Sequence, residues 1–120
     1  MPDARPITVV ETHEFLAAMK KLMDDEERAK LVSYLAYNPT AGDVIPGTGG
    51  VRKMRWGLEG RGKRGGARVI YFFHDMDMPL YVFTAYAKNE RENLEHAEIH
   101  AMRKATTILV EMNRKRRSKP

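Results

Sequence analysis

The sequence predicts an α+β fold: a two-layer sandwich in which an antiparallel sheet is covered on one face by helices. Three observations predict it. Apolar residues recur at helical spacing before residue 38 and again after residue 90, while β-branched or alternating runs fill much of the middle. The last three such runs follow one another through short connections, which favours an antiparallel meander. Runs of strands flanked by helices, without strict alternation of the two, form an α+β arrangement.

Each element has a local reason. Ile7-Thr8-Val9-Val10 is β-branched and reads as a short strand. Thr12 caps a helix whose apolar residues are Phe15, Leu16, Met19 and Leu22/Met23. The acidic run Asp24-Asp25-Glu26-Glu27 opens a second helix, because carboxylates are favoured at a helix N-terminus; that explains the run better than a metal site does. The apolar face of this helix is Leu31, Tyr34, Leu35 and Tyr37, and Asn38-Pro39 ends it. Residues 38–50 read as loop. Val51 to Trp56 alternates, with Val51, Lys53 and Arg55 on one side and Arg52, Met54 and Trp56 on the other, as in a strand with one buried face. Gly57 to Gly66 reads as a glycine-rich basic loop, Arg68 to Phe73 as a strand, His74 to Pro79 as a turn and Leu80 to Tyr86 as a third strand of the meander. From Glu90 the chain returns to helix, with Leu94, Ala97, Ala101, Ala105, Ile108 and Met112 on one stripe. One domain spans 1–113, and 114–120 reads as a basic, disordered tail.

Composition narrows the function. A chain of 120 residues, 42% hydrophobic and 31% charged, is a single globular domain. The absence of cysteine excludes a disulfide scaffold, a thiol nucleophile and thiolate zinc sites. There is no apolar run of the roughly 18 residues a membrane span needs, and no signal peptide pattern, so a cytoplasmic location and no membrane partner are expected. The formal charge of +5 is concentrated. Arg52, Lys53, Arg55, Arg61, Lys63, Arg64 and Arg68 face one acid in their segment, Glu59. A second group runs from Arg103 to Lys119 with only Glu111 among it. The tail reads as a solvated end; the central cluster, whose bases alternate with apolar and glycine residues, reads as a polyanion site.

The motifs push any chemistry onto lysine and arginine. Gly60-Arg61-Gly62-Lys63-Arg64-Gly65 satisfies G-x-G-x-x-G, but a strand follows it where a dinucleotide site needs a helix, and no Gly-Lys-Ser/Thr is present. It reads instead as a mobile hairpin loop whose glycines admit a phosphate chain. His96 and His100 stand at i and i+4 without a third ligand and read as a helix face. His13 and His74 have no visible partner, and the two serines, Ser33 and Ser118, have no triad around them. No metal and no cofactor are expected. Trp56, Tyr71 and Tyr81 read as core aromatics; Tyr86 stands apart, at a strand end beside Lys88 and Glu90.

What remains is a set of bases on adjacent strands (Lys53, Arg55, Arg68), the basic loop, and Tyr86-x-Lys88. Cleavage of a phosphodiester by its own 2′-hydroxyl needs a base for that proton, cations for the phosphorane charge and an acid for the leaving oxygen. A lysine whose pKa is depressed by neighbouring cations serves as base, and arginine binds phosphate bidentately.

The same residues carry a family likeness. Asn38-Pro39, Gly42-Asp43-Val44-Ile45, Gly47 to Arg55, Gly62 to Phe72 and Tyr86-Ala87-Lys88-Asn89-Glu90 resemble the HigB branch of the RelE/ParE toxin superfamily. The resemblance implies a RelE-like fold, a small twisted antiparallel sheet with two N-terminal helices and a C-terminal helix. It implies the toxin of a type II toxin–antitoxin pair, an endoribonuclease that cleaves mRNA in the ribosomal A site without metal and leaves a 2′,3′-cyclic phosphate. It implies a cognate antitoxin carrying a helix-turn-helix domain. By position, Lys53, Arg55, Arg68 and Lys88 are the implied catalytic residues; Arg52, Arg61, Lys63, Arg64 and Tyr86 are the expected RNA contacts. Ala87 and Asn89 depart from the family pattern, and no tyrosine follows Tyr86. Two alternatives are an inhibitor of DNA gyrase of the ParE kind on the same fold and a non-catalytic nucleic-acid-binding module.

Overall fold

The computed structural model describes residues 5–58, 62–91 and 93–118. Strand β1 (Val9–Glu11) leads to helices α1 (His13–Leu22) and α2 (Asp25–Tyr37), then strands β2 (Asp43–Val44), β3 (Val51–Leu58), β4 (Gly62–Phe72) and β5 (Leu80–Ala87), and helix α3 (His96–Ser118). The sheet order is β1-β5-β4-β3-β2. The meander β3-β4-β5 is antiparallel, as the short connections predict, whereas β1 pairs with β5 in parallel, making the sheet mixed.

The expected two layers are three. Val69 and Tyr71 of β4 bury against α1 and α2 with Phe15, Met19, Leu31 and Leu35. Ile70 and Phe72 bury on the opposite face beneath Met102, Leu109 and Val110 of α3. A strand apolar at consecutive positions has to be covered on both sides, and Val69-Ile70-Tyr71-Phe72 is such a strand.

Both N-terminal caps form as expected. Thr12 Oγ1 accepts from Phe15 N at 3.2 Å and also lies 2.8 Å from Val82 O, joining the start of α1 to β5. Asp24 Oδ1 accepts from Glu27 N at 2.8 Å. These side chains satisfy amides that the first helical turn leaves unpaired.

Three expectations change. The basic segment expected as loop lies largely in the hairpin arms: β3 runs to Leu58 and β4 starts at Gly62, with Leu58 opposite Gly62. Cross-strand pairing overrides the low strand preference of glycine. Helix α3 starts at His96 rather than Glu90, because Glu98 reaches back to the Glu95 amide at 2.9 Å and fixes the first turn there. It then continues through the expected tail to Ser118. Arginine and lysine are good helix formers and suit a helix C-terminus, and Arg117 pairs with Asp77 at 3.5 Å.

The buried stripe of α3 also differs from the expected one. Ile108 and Met112 are exposed, while Thr106 and Asn113 are buried. Thr106 Oγ1 sits 3.0 Å from Thr48 O, and Asn113 Nδ2 donates to Leu109 O at 2.8 Å and approaches the Tyr81 hydroxyl at 3.3 Å. Two polar residues on the inward face conceal it from a hydrophobicity count. The helix comes so close to the 45–50 loop that a Cβ on Gly49 (φ +80°) would stand 2.6 Å from Thr106 Oγ1.

The segment before β2 is braced from below. The buried Tyr71 hydroxyl accepts from Gly42 N at 2.8 Å and donates to Pro39 O at 2.9 Å. This holds β2 beside β3, with Asp43 opposite Lys53.

Candidate functional site

Register brings the basic residues together. Arg55 on β3, Arg68 on β4 and Tyr86 on β5 are direct cross-strand neighbours, so their side chains share the α3-facing side of the sheet. Lys53 lies two residues before Arg55 on that face. Lys88 lies two residues beyond Tyr86, its amide donating to Gly66 O at 3.1 Å. Lys53, Arg55, Arg68 and Lys88 all line one open cleft of about 720 Å³, together with Tyr34, Asp43, Trp56 and Asn93. All four expected catalytic residues therefore occupy one place.

The electrostatics there are one-sided. Asp43 is the sole acid among the lining residues. Arg68 is only 7% exposed, and its Nη1 donates to Ala67 O at 3.3 Å. Among the described residues no carboxylate pairs with it, nor with Lys53, Arg55 or Lys88. Charges that are nearly buried are normally paired. A guanidinium left unpaired beside three more cations is suited to an anion that arrives from outside.

The expected RNA contacts divide. Arg52 points to the other face, where its Nη1 donates to Gly42 O at 2.7 Å and braces the loop before β2. Arg61 lies outside the described residues, and Lys63 and Arg64 are described through their backbone in β4 alone. Tyr86 is 7% exposed and lies behind the cleft, next to Arg68. Burial pushes its hydroxyl above the ordinary tyrosine pKa, opposed by the charges of Arg91 and Arg68. It keeps its proton at neutral pH.

Arg91, Glu98 and Asn93 escaped the sequence reading, and Tyr34, read with Tyr37 as part of the apolar face of α2, is exposed as Tyr37 is. The Arg91 guanidinium lies 4.9 Å from the centre of the Tyr86 ring, a cation–π contact, and pairs with Glu98. That pair raises the pKa of Arg91 and holds Glu98 below the usual carboxylate range, chiefly through their mutual hydrogen bond. The segment carrying Lys88 and Asn93 is thereby tied to the start of α3. No short motif marks such a contact. Tyr34 had a weak signal: Leu31 and Leu35 alone define the inner line of α2, and Tyr34 falls beside it, 43% exposed.

No helix among the described residues is long and apolar enough to cross a membrane. A solved structure of an E. coli toxin RelE double mutant in the free state is similar in fold: 16% sequence identity, a TM-score of 0.54, covering 84% of this chain and 97% of that one. The family described as "RelE toxin of RelE / RelB toxin-antitoxin system" matches residues 8–119. That match takes in the strands and the helix that build the cationic cleft, and on its extent the chain belongs to the RelE toxin family of toxin–antitoxin systems.

Proposed function

We propose that this toxin is an endoribonuclease of the HigB branch that cuts mRNA in the ribosomal A site and so stops translation in the cytoplasm. The observation that carries the proposal is the cleft itself: three cations on the paired strands β3 and β4 and a fourth, Lys88, in the turn after β5, none paired with an acid among the described residues. Arg55 and Arg68 bind the scissile phosphate. The substrate's 2′-hydroxyl gives up its proton, its oxygen bonds to the adjacent phosphorus, and the bond from phosphorus to the 5′ oxygen breaks. A 2′,3′-cyclic phosphate and a 5′-hydroxyl result. Arg68 offsets the charge that develops on the phosphorane oxygens. Lys53 and Lys88, each partly buried among other cations, are the groups available to move protons. The ribosome supplies alignment of the substrate, which accounts for a site built without a histidine base. A cognate antitoxin carrying a helix-turn-helix domain holds the toxin inactive.

The test is induction of the chain with and without its neighbouring reading frame, followed by primer extension on cellular mRNA. Codon-phased cuts that disappear in Arg68→Ala are expected. Gyrase-linked DNA damage without such cuts would refute the ribonuclease reading in favour of gyrase inhibition.

A further inference from the structure

We propose that Tyr34 and Trp56 form a nucleobase-stacking subsite at the open edge of β3, beside the phosphate-binding cations. The inference rests on the nucleic-acid reading of the cleft and adds a specificity element to it.

The sheet topology creates the subsite. β2 pairs only with Arg52 and Lys53, so among the described residues β3 has no strand neighbour on that side from Met54 onward. The cleft continues round this edge. Consecutive residues of a strand point to opposite faces, so Arg55 presents its charge on the α3 side while Trp56 presents its ring on the α2 side, and both line the same cleft. A single strand crossing the edge meets the guanidinium with a phosphate and the indole with a base.

The aromatics are anchored behind and open in front. Trp56 is half-buried, and its indole N–H donates to Glu27 Oε1 at 3.1 Å, which fixes the ring. Tyr34 stands 5.7 Å from it, ring centre to ring centre, tilted by 56°. At 43% exposure Tyr34 is one of few large apolar side chains left in solvent, and it is the one that lies in the cationic cleft. Exposed rings next to cations are how single-stranded nucleic acid is held: bases stack on the rings and the backbone tracks the charge.

The chain's single tryptophan makes the test direct, because intrinsic indole fluorescence reports Trp56 alone. The probes are a short 2′-O-methyl RNA, which the proposed reaction cannot cleave, and an abasic strand of the same length. The chain is titrated with each. The 2′-O-methyl RNA is expected to quench the fluorescence saturably, and the abasic strand to bind more weakly without quenching. Tyr34→Ala should weaken binding of the base-bearing strand roughly 10- to 100-fold, the value of one stacked base, and leave the abasic strand unaffected. Tyr34→Phe should restore the loss. Equal affinity for the two strands, or an unchanged affinity in Tyr34→Ala with its fold confirmed by circular dichroism, overturns the subsite. Cleavage of mRNA by the wild type together with that null result sinks the subsite and leaves the ribonuclease standing. Base-dependent quenching without any cleavage supports the subsite and sinks the ribonuclease.

Discussion

Arg68 is placed where it should cost stability, and Arg68→Met measures that cost. The side chain is 7% exposed, lies directly across from Arg55, and has only the carbonyl of its own neighbour as a close acceptor among the described residues. Opposed residues on paired strands hold their Cβ atoms about 5 Å apart, and a separation of roughly 8 Å is taken for the longer arginine heads. Coulomb's law at an effective dielectric of 20–40 then gives about 1–2 kcal/mol of repulsion. Met keeps the aliphatic stem and removes the charge, so the variant should be more stable by about 1–2 kcal/mol. For a domain of this size that is a rise in Tm of roughly 3–10 °C. Scanning calorimetry at about 0.05 M and 0.5 M NaCl checks it, and the gap between variant and wild type should narrow in high salt as the repulsion is screened. Cleavage should fall by roughly 10²–10³ in the same variant, as when one transition-state donor is lost. A variant that melts several degrees below the wild type at both salt concentrations would refute the reasoning, since Arg68 would then be holding the fold together.

Other outcomes follow from the packing. Tyr71→Phe leaves the Gly42 amide and Pro39 carbonyl without their shared partner, and urea unfolding should show a loss of about 1–3 kcal/mol. Gly49→Ala sets a Cβ in the left-handed region against Thr106 and should cost about 2–4 kcal/mol by the same measurement. Glu98→Gln breaks the pairing with Arg91 and weakens the cap of α3. Because the folded pKa of Glu98 lies below its unfolded value, its contribution is complete above the ordinary glutamate pKa of about 4.3 and disappears as pH falls through the folded value. The wild type should therefore exceed the variant by about 1 kcal/mol at pH 7, and the gap should close as the pH is taken down through the depressed folded value, as followed by thermal melts across pH.

The site was more legible than the layering. Strand alternation set Lys53 and Arg55 on one side of β3, and Arg68 was read as a base on an adjacent strand with Tyr86-x-Lys88 nearby; the register sets Arg55 opposite Arg68 and Arg68 opposite Tyr86. Arg52 illustrates what alternation does not convey. It belongs to the same basic run but faces the other way, and its charge is used on loop carbonyls that sequence spacing cannot locate. The position of α3 was hidden because Thr106 and Asn113, polar in any hydrophobicity count, lie inward, while Ile108 and Met112 lie outward. Strand β2 is two residues long and leaves no periodic trace. The parallel pairing of β1 depends on a partner far along the chain, and local pattern carries no record of that.

That distant pairing also bears on when the chain can fold. β1 and the first turn of α1 are held by β5 through contacts that span 70 residues, among them Thr12 Oγ1 to Val82 O. β5 is the last strand to leave the ribosome during synthesis. Until it emerges, the N-terminal strand has no sheet to join, and α1 has lost its main docking surface. Loop closure over such a separation has to be achieved before native contacts repay it, so contact order puts the nucleus late and makes folding slow for a chain of this size. The half-built chain exposes Phe15 and Met19 during that interval. The cationic cleft, whose lining includes Lys88 and Asn93 beyond β5, is therefore assembled only after β5 has emerged.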